Sequence, residues 1–195
     1  MKTLYLFEIA TVVTLLVIGG WFGYGHFIEG AVKQPSYSVT QKDGAIEIRQ
    51  YPVMILAKTP MDSSLNNGFR VLANYIFGGN NSKQKMAMTA PVITGDLDNS
   101  GMMMAFVLPE DINLSNAPKP SSNSVLIDEM NFESIASIRF SGYAKQDAIK
   151  KKYGLLTTWL NDNNVNYDPA VFVAQYNSPW VMGPFRRNEV WVRLK

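Results

Sequence analysis

Residues 62–80, DSSLNNGFRVLANYIFGGN, decide how the rest of the chain is read. Asp62 or Ser63 carries a side-chain oxygen able to cap the free N–H groups of a first helical turn. Leu65, Phe69, Leu72 and Ile76 then recur at helical spacing and make an apolar stripe. Asn66, Arg70, Ala73, Asn74 and Phe77 fall on a neighbouring face. Gly78-Gly79-Asn80-Asn81 ends the helix at about Phe77, because glycine takes the left-handed conformation that closes a helix at no steric cost.

Extended segments lie on both sides of this helix. Before it, 38–41 and 45–49 flank the turn Lys42-Asp43-Gly44, with Ile46 and Ile48 alternating against Glu47 and Arg49. A further run, 53–58, is opened by Tyr51-Pro52. After the helix, 85–93 is expected to be extended with Met86 and Met88 on one face, and to pair with 102–108 beyond the polar loop 95–101. Alternation leaves Met102-Met103-Met104 half in a core and half exposed.

A proline-bearing loop, 109–123, divides the domain, and the second half repeats the order of the first. Here 125–130 and 135–140 read as a hairpin around 131–134. A helix over 145–161 turns Ile149, Tyr153, Leu156 and Leu160 inward, and 171–176 and 189–194 are the last strands. Strand-strand-helix-strand-strand, twice, gives an antiparallel, barrel-like sheet with two helices against it, an α+β class.

The N-terminus is of another kind. Ile9 to Gly25 carries no charge, and on to Ile28 only His26 interrupts the apolar run. Roughly 20 residues is the length of a helix that crosses a bilayer. Trp21, Phe22, Tyr24 and Phe27 cluster at its end, as in an interfacial aromatic belt. The rival reading is a cleaved signal peptide. Its basic region would be Lys2 alone, Glu8 sits just ahead of the apolar run, and no A-x-A pattern follows, so the flanks favour an uncleaved anchor. Residues 1–30 are thus read as a transmembrane anchor or signal peptide, 31–36 as a linker, and 37–195 as one domain. Lys2 on one side, with Glu29 and Lys33 cancelling on the other, places the domain of a single-pass membrane protein on the non-cytoplasmic side.

Composition removes several function classes. A formal charge of +2 with no basic stripe argues against nucleic acid. There is no cysteine, hence no disulfide, thiolate nucleophile or iron–sulfur centre. The single histidine, His26, precedes the domain, which excludes Ser-His-Asp catalysis and multi-histidine metal sites within it. The carboxylates are scattered, and Gly78-Gly79-Asn80 closes a helix instead of opening one, so it is no phosphate cradle. No catalytic constellation emerges, and a binding protein is expected in place of an enzyme.

Three segments reach beyond pattern: 68–80, then Ser82-Lys83-Gln84-Lys85-Met86-Ala87-Met88-Thr89-Ala90-Pro91-Val92, and Tyr176-Asn177-Ser178-Pro179-Trp180 continuing through Pro184-Phe185 to Arg186-Arg187-Asn188-Glu189-Val190. With Tyr37, 46–51 and Arg139-Phe140-Ser141-Gly142, they resemble the SOUL haem-binding family over essentially 36–195. The resemblance implies a distorted antiparallel β-barrel with two long helices, built as duplicated ββαββ units. It also implies non-covalent binding of haem or another tetrapyrrole in a shallow apolar groove beside the first helix. Carried over by position, the groove residues are Asn66, Phe69, Ala73 and Asn74, with Val181 or Met182 from the loop before the last strand. Some members have basic and methionine residues at such positions, where this chain has Asn66, Ala73 and Asn74; others have a histidine ligand near the domain's start, and none exists here.

Other residues admit two readings. Arg70 can pair with a propionate or with a nearby carboxylate. Met86 and Met88 can offer sulfur to iron or fill the core. Arg186 and Arg187 fit internal ion pairs better than a ligand. Trp180, Met182 and Phe185 form an apolar loop that covers a core edge or flanks a pocket. Tyr75 and Tyr143 are the phenols able to ligate iron. The alternative function is the same fold binding another hydrophobic ligand or a protein partner.

Overall fold

The computed structural model describes residues 12–13, 32–61, 65–97 and 101–195. Two units separate, 1–32 and 33–195. Of residues 9–28 only Val12 and Val13 are described, both helical, so the predicted membrane-crossing stretch lies otherwise outside the described residues. Among those described, no helix is long and apolar enough to cross a membrane.

In the second unit, β1 (Ser38–Asp43), β2 (Ile46–Gln50) and β3 (Met54–Pro60) lead to α1 (Leu65–Ile76), β4 (Val92–Asp96) and β5 (Met102–Val107). Then come β6 (Leu126–Met130), β7 (Ser134–Phe140), α2 (Gln146–Asp162), β8 (Phe172–Gln175), a 3-10 turn (Gly183–Phe185) and β9 (Asn188–Arg193). The strands form one sheet in the order β1-β2-β7-β9-β8-β4-β5-β3-β6, every pair antiparallel. It curls into a half-barrel with two helices, as an α+β reading requires.

The pairing is symmetric. Exchanging β2 with β6, β3 with β7, β4 with β8 and β5 with β9 maps every ladder but β1–β2 onto another, and β4–β8 onto itself. The two halves therefore share an arrangement as well as an order of elements, with β1 added at one edge.

Three local expectations change. The predicted hairpin over 125–140 does not form: β6 pairs with β3, and β7 lies between β2 and β9. The turn between them is a corner. Phe132 is buried in it, Glu133 has a φ of 50°, and Glu133 O accepts from Tyr51 N at 3.2 Å, in the corner between β2 and β3. Burial of Phe132 and this tie overrule a turn length that locally suits a hairpin. The strand expected from residue 85 starts only at Val92. Asn80 holds the preceding segment instead, donating to Gln84 O at 2.7 Å and accepting from Gln84 N at 2.9 Å. Finally, Met103 and Met104 are both buried, because this sheet is covered on both faces.

α1 packs Leu72, Tyr75 and Ile76 over Ala57, Met104 and Phe106. Phe69 drops out of the predicted stripe: it is 38% exposed and meets Phe106 edge-on at 5.2 Å. The glycines after the helix are required by geometry. Gly78 has φ 107°, and a Cβ on Gly79 would lie 2.7 Å from Asn74 O. α2 buries Leu156 and Leu160 against Ile138, Val190 and Val192. Successive β9 residues face opposite ways, so Glu189, Trp191 and Arg193 point into the curl.

Candidate functional site

The curl's interior is filled. Leu56, Ile93, Ala105, Ile135, Phe172 and Trp191 are fully buried. At its centre Glu189, 0% exposed, accepts from Arg49 at 2.7 and 3.1 Å, Arg187 at 2.9 and 2.7 Å, Tyr176 at 2.9 Å and Trp191 at 2.7 Å. Burial alone would raise its carboxyl, but the two guanidiniums and the Trp191 N–H outweigh that and hold it below the usual range. Burial pushes the phenols up, Tyr51 to about 12 and Tyr176 well above 10. The carboxylate is saturated with donors, so this network locks strands together and offers no vacant group to a ligand. Arg187 thus takes the internal role read from the sequence.

The outer face of α1 differs. Phe69, Ala73 and Phe77 lie one turn apart along it, Phe77 58% and Phe69 38% exposed. Arg70 and Asn74 are exposed beside them, and Asn66 belongs to the first turn. Arg70 donates to Asn67 Oδ1 at 3.1 Å, an amide and not the carboxylate considered above. The helix carries no carboxylate of its own. Arg70 therefore presents a cationic edge beside a strip of apolar surface. Phe77 is missing from the residues carried over by resemblance, although its spacing from Phe69 and Ala73 points to it.

Met182, 47% exposed, stands on a separate element, the loop between β8 and β9. That loop is fastened to the turn ahead of α2: Gly142 N donates to Gly183 O at 2.8 Å, and Arg186 lies 4.6 Å from the Tyr143 ring centroid. The structure gathers Phe69, Arg70, Ala73 and Asn74 on one helix face and leaves Met182 on this loop. Met86 is buried and Met88 partly buried in the α1 core, the filling role. Tyr75 is 1% exposed and donates to Pro118 O at 2.8 Å, which closes it to a metal.

Residues 33–36, read as a linker, run across the edge of the fold. Lys33 bridges Thr89, Gln34 accepts from Arg187 at 3.1 Å, and Pro35 is buried. With 52–55, Thr89 and 107–112 they line a cavity of about 770 Å³. None of the six predicted site residues lines it. Its walls carry Glu110 and Asp111 as well as Lys33.

A family model described as SOUL heme-binding protein matches residues 32–193. Heme-binding protein 1 of Sus scrofa is 26% identical over 167 residues, 82% of this chain and 87% of that one. Heme-binding protein 2 of Homo sapiens is 27% identical over 181 residues, 85% and 87%. Among solved structures, the EcmrR C-terminal domain superposes with a TM-score of 0.57 at 13% identity, over 82% of this chain and 98% of that one. A hydrolase from Listeria innocua superposes with a TM-score of 0.55 at 8% identity, over 80% and 94%. At such identities the two structures share the fold.

Proposed function

The chain belongs to the SOUL heme-binding protein family, and from that premise we propose that it is a membrane-tethered, non-catalytic module that binds haem or a related tetrapyrrole on the outer face of α1. The observation that carries the reading is the pair of exposed rings Phe69 and Phe77, with the half-buried Ala73 between them, beside the Arg70 guanidinium. A porphyrin is a large flat apolar surface with two carboxylates at one edge. Phe69, held edge-on by Phe106, supplies a ring for stacking, Ala73 keeps the strip low, and Arg70 meets a propionate. Asn74 borders the strip on the same helix. Residues 9–28 tether the domain, which the charge flanks place on the non-cytoplasmic side.

The residues fit the ring and its propionates better than the iron. His26 is the only histidine, so no imidazole from 32–195 reaches the metal. That observation favours a second reading, in which the same strip takes a hydrophobic ligand without iron or a protein partner. Titrating haemin into the full chain in detergent decides between them. A saturable Soret shift at one haemin per chain, weakened by Phe69→Ala and Arg70→Ala, supports the first. Adsorption that never saturates and ignores both substitutions sinks it.

A further inference from the structure

The β8–β9 loop carries a feature that haem binding leaves unused. Trp180 is 81% exposed at its tip, and Met182, Phe185 and the adjoining Tyr143 are 47%, 52% and 55% exposed. An isolated tryptophan this exposed forgoes most of its burial free energy, and three further exposed large side chains lie on the same loop or on the turn fastened to it. The loop is also rigidly built. Arg186 donates to Val181 O at 2.7 Å and to Pro179 O, and stacks over Tyr143. A Cβ on Gly183 would sit 2.9 Å from the Tyr143 ring, so the loop and the turn before α2 are pressed together. Arg187 N donates to Asn177 Oδ1 across the loop's base.

Its charge and place point to one occupant. Neither 177–186 nor 141–145 holds a carboxylate, while each holds one cation, Arg186 and Lys145. Trp, Tyr, Phe and Met beside Arg and Lys is the composition that settles at a lipid headgroup boundary. The loop's base is also where the chain enters the fold: Arg187, two residues past Phe185, donates to Gln34. Gln34 is six residues beyond Ile28, where the apolar N-terminal stretch ends. Six residues span at most about 20 Å, and Trp180, three residues from Asn177, reaches at most about 11 Å from the loop's base.

We propose that the Trp180 loop, with Tyr143, is a second membrane contact, resting in the headgroup region of the bilayer that residues 9–28 cross. This rests on the tether proposed above.

The chain has no cysteine, so single cysteines report single positions. Trp180→Cys, Met182→Cys and, as a control, Leu126→Cys on the edge strand β6 are introduced into the full chain and labelled with an environment-sensitive fluorophore. The labelled chains are reconstituted in phosphatidylcholine–phosphatidylglycerol vesicles containing lipids with nitroxides at shallow acyl positions. The expected result is blue-shifted emission, quenched by the nitroxide, at 180 and 182, and water-like unquenched emission at 126. Water-like emission at all three positions in chains that sediment with the vesicles overturns the loop contact and leaves the tether standing. Chains that do not sediment with vesicles overturn the tether and the loop contact together.

Discussion

Arg49 and Glu189, 140 residues apart in sequence, form a bidentate pair at 2.7 and 3.1 Å, with Arg49 3% and Glu189 0% exposed at the side chain. β7 lies between their strands, so the pair spans the sheet from β2 to β9. Glu47, Arg187, Tyr176 and Trp191 complete the network. Removing one member leaves the others buried and uncompensated, which costs more than the intact network contributes relative to an apolar core.

Glu189→Gln is accordingly expected to destabilise the domain by about 3–5 kcal/mol. It leaves two guanidiniums facing a neutral amide. Arg49→Met is expected to cost a similar amount. Urea unfolding followed by circular dichroism measures both, and a loss below 1 kcal/mol in each would contradict the role given to the pair.

The same group sets the acid limit. The carboxyl of Glu189 lies below its ordinary value in the folded state, with Glu47 lowered likewise, so both bind protons more readily unfolded. Their contribution is complete above the unfolded carboxyl value of about 4.3 and is lost as pH falls through the folded values beneath it. Stability should therefore decline below about pH 4 and do so less steeply in Glu189→Gln. At the alkaline end the sign reverses. Tyr51, raised to about 12, favours the folded state fully below about pH 10 and loses that contribution between there and 12. Midpoints of thermal unfolding across pH test both limits.

Two glycine substitutions should act in opposite directions. Gly79→Ala puts a Cβ 2.4 Å from Asn74 Nδ2 and 2.7 Å from Asn74 O, and is expected to cost about 1–3 kcal/mol. Gly154 lies exposed within α2 with open space at the Cβ position, so Gly154→Ala should stabilise by about 0.5–1 kcal/mol. Thermal denaturation of the two variants distinguishes the sign directly.

On the α1 face, Phe69→Ala and Phe77→Ala each remove an exposed ring and should weaken haemin binding by about 1–2 kcal/mol, roughly fivefold to thirtyfold. Arg70→Ala should weaken it less, and the loss should shrink as salt is added, because an exposed guanidinium is screened. Met104, beneath the helix, is the contrasting position: Met104→Ala should lower stability by about 2–5 kcal/mol. Titrations at low and high salt, paired with unfolding curves, separate ligand contacts from core packing.

Much of this was legible in the residues. The repeated order of elements, the glycines that end α1 and the inward residues Leu156 and Leu160 of α2 follow from local periodicity and turn chemistry. The candidate face was legible in part. Helical spacing puts Arg70, Ala73 and Asn74 off the core stripe; Arg70 and Asn74 are exposed, while Ala73 packs partly against the core. Phe69 was read both as core and as groove, and it sits at the border between them. Phe77 falls on the same face by spacing, and its 58% exposure is seen only in the structure. The hairpin over 125–140 was misread because a short connection between two strands looks the same whether the strands pair or part.

The amino-acid sequence by itself determined the family, the α+β class, two helix-bearing halves and a domain without histidine. It could do so because spacing at 2 and 3.6 residues records which side of each element is apolar. Only the tertiary structure decided that the corners at Tyr51 and Phe132 meet, that the sheet is covered on both faces, and that Arg49 finds Glu189. Those depend on how a curled sheet brings distant strands together, and closure of that kind leaves no trace in the local spacing of residues.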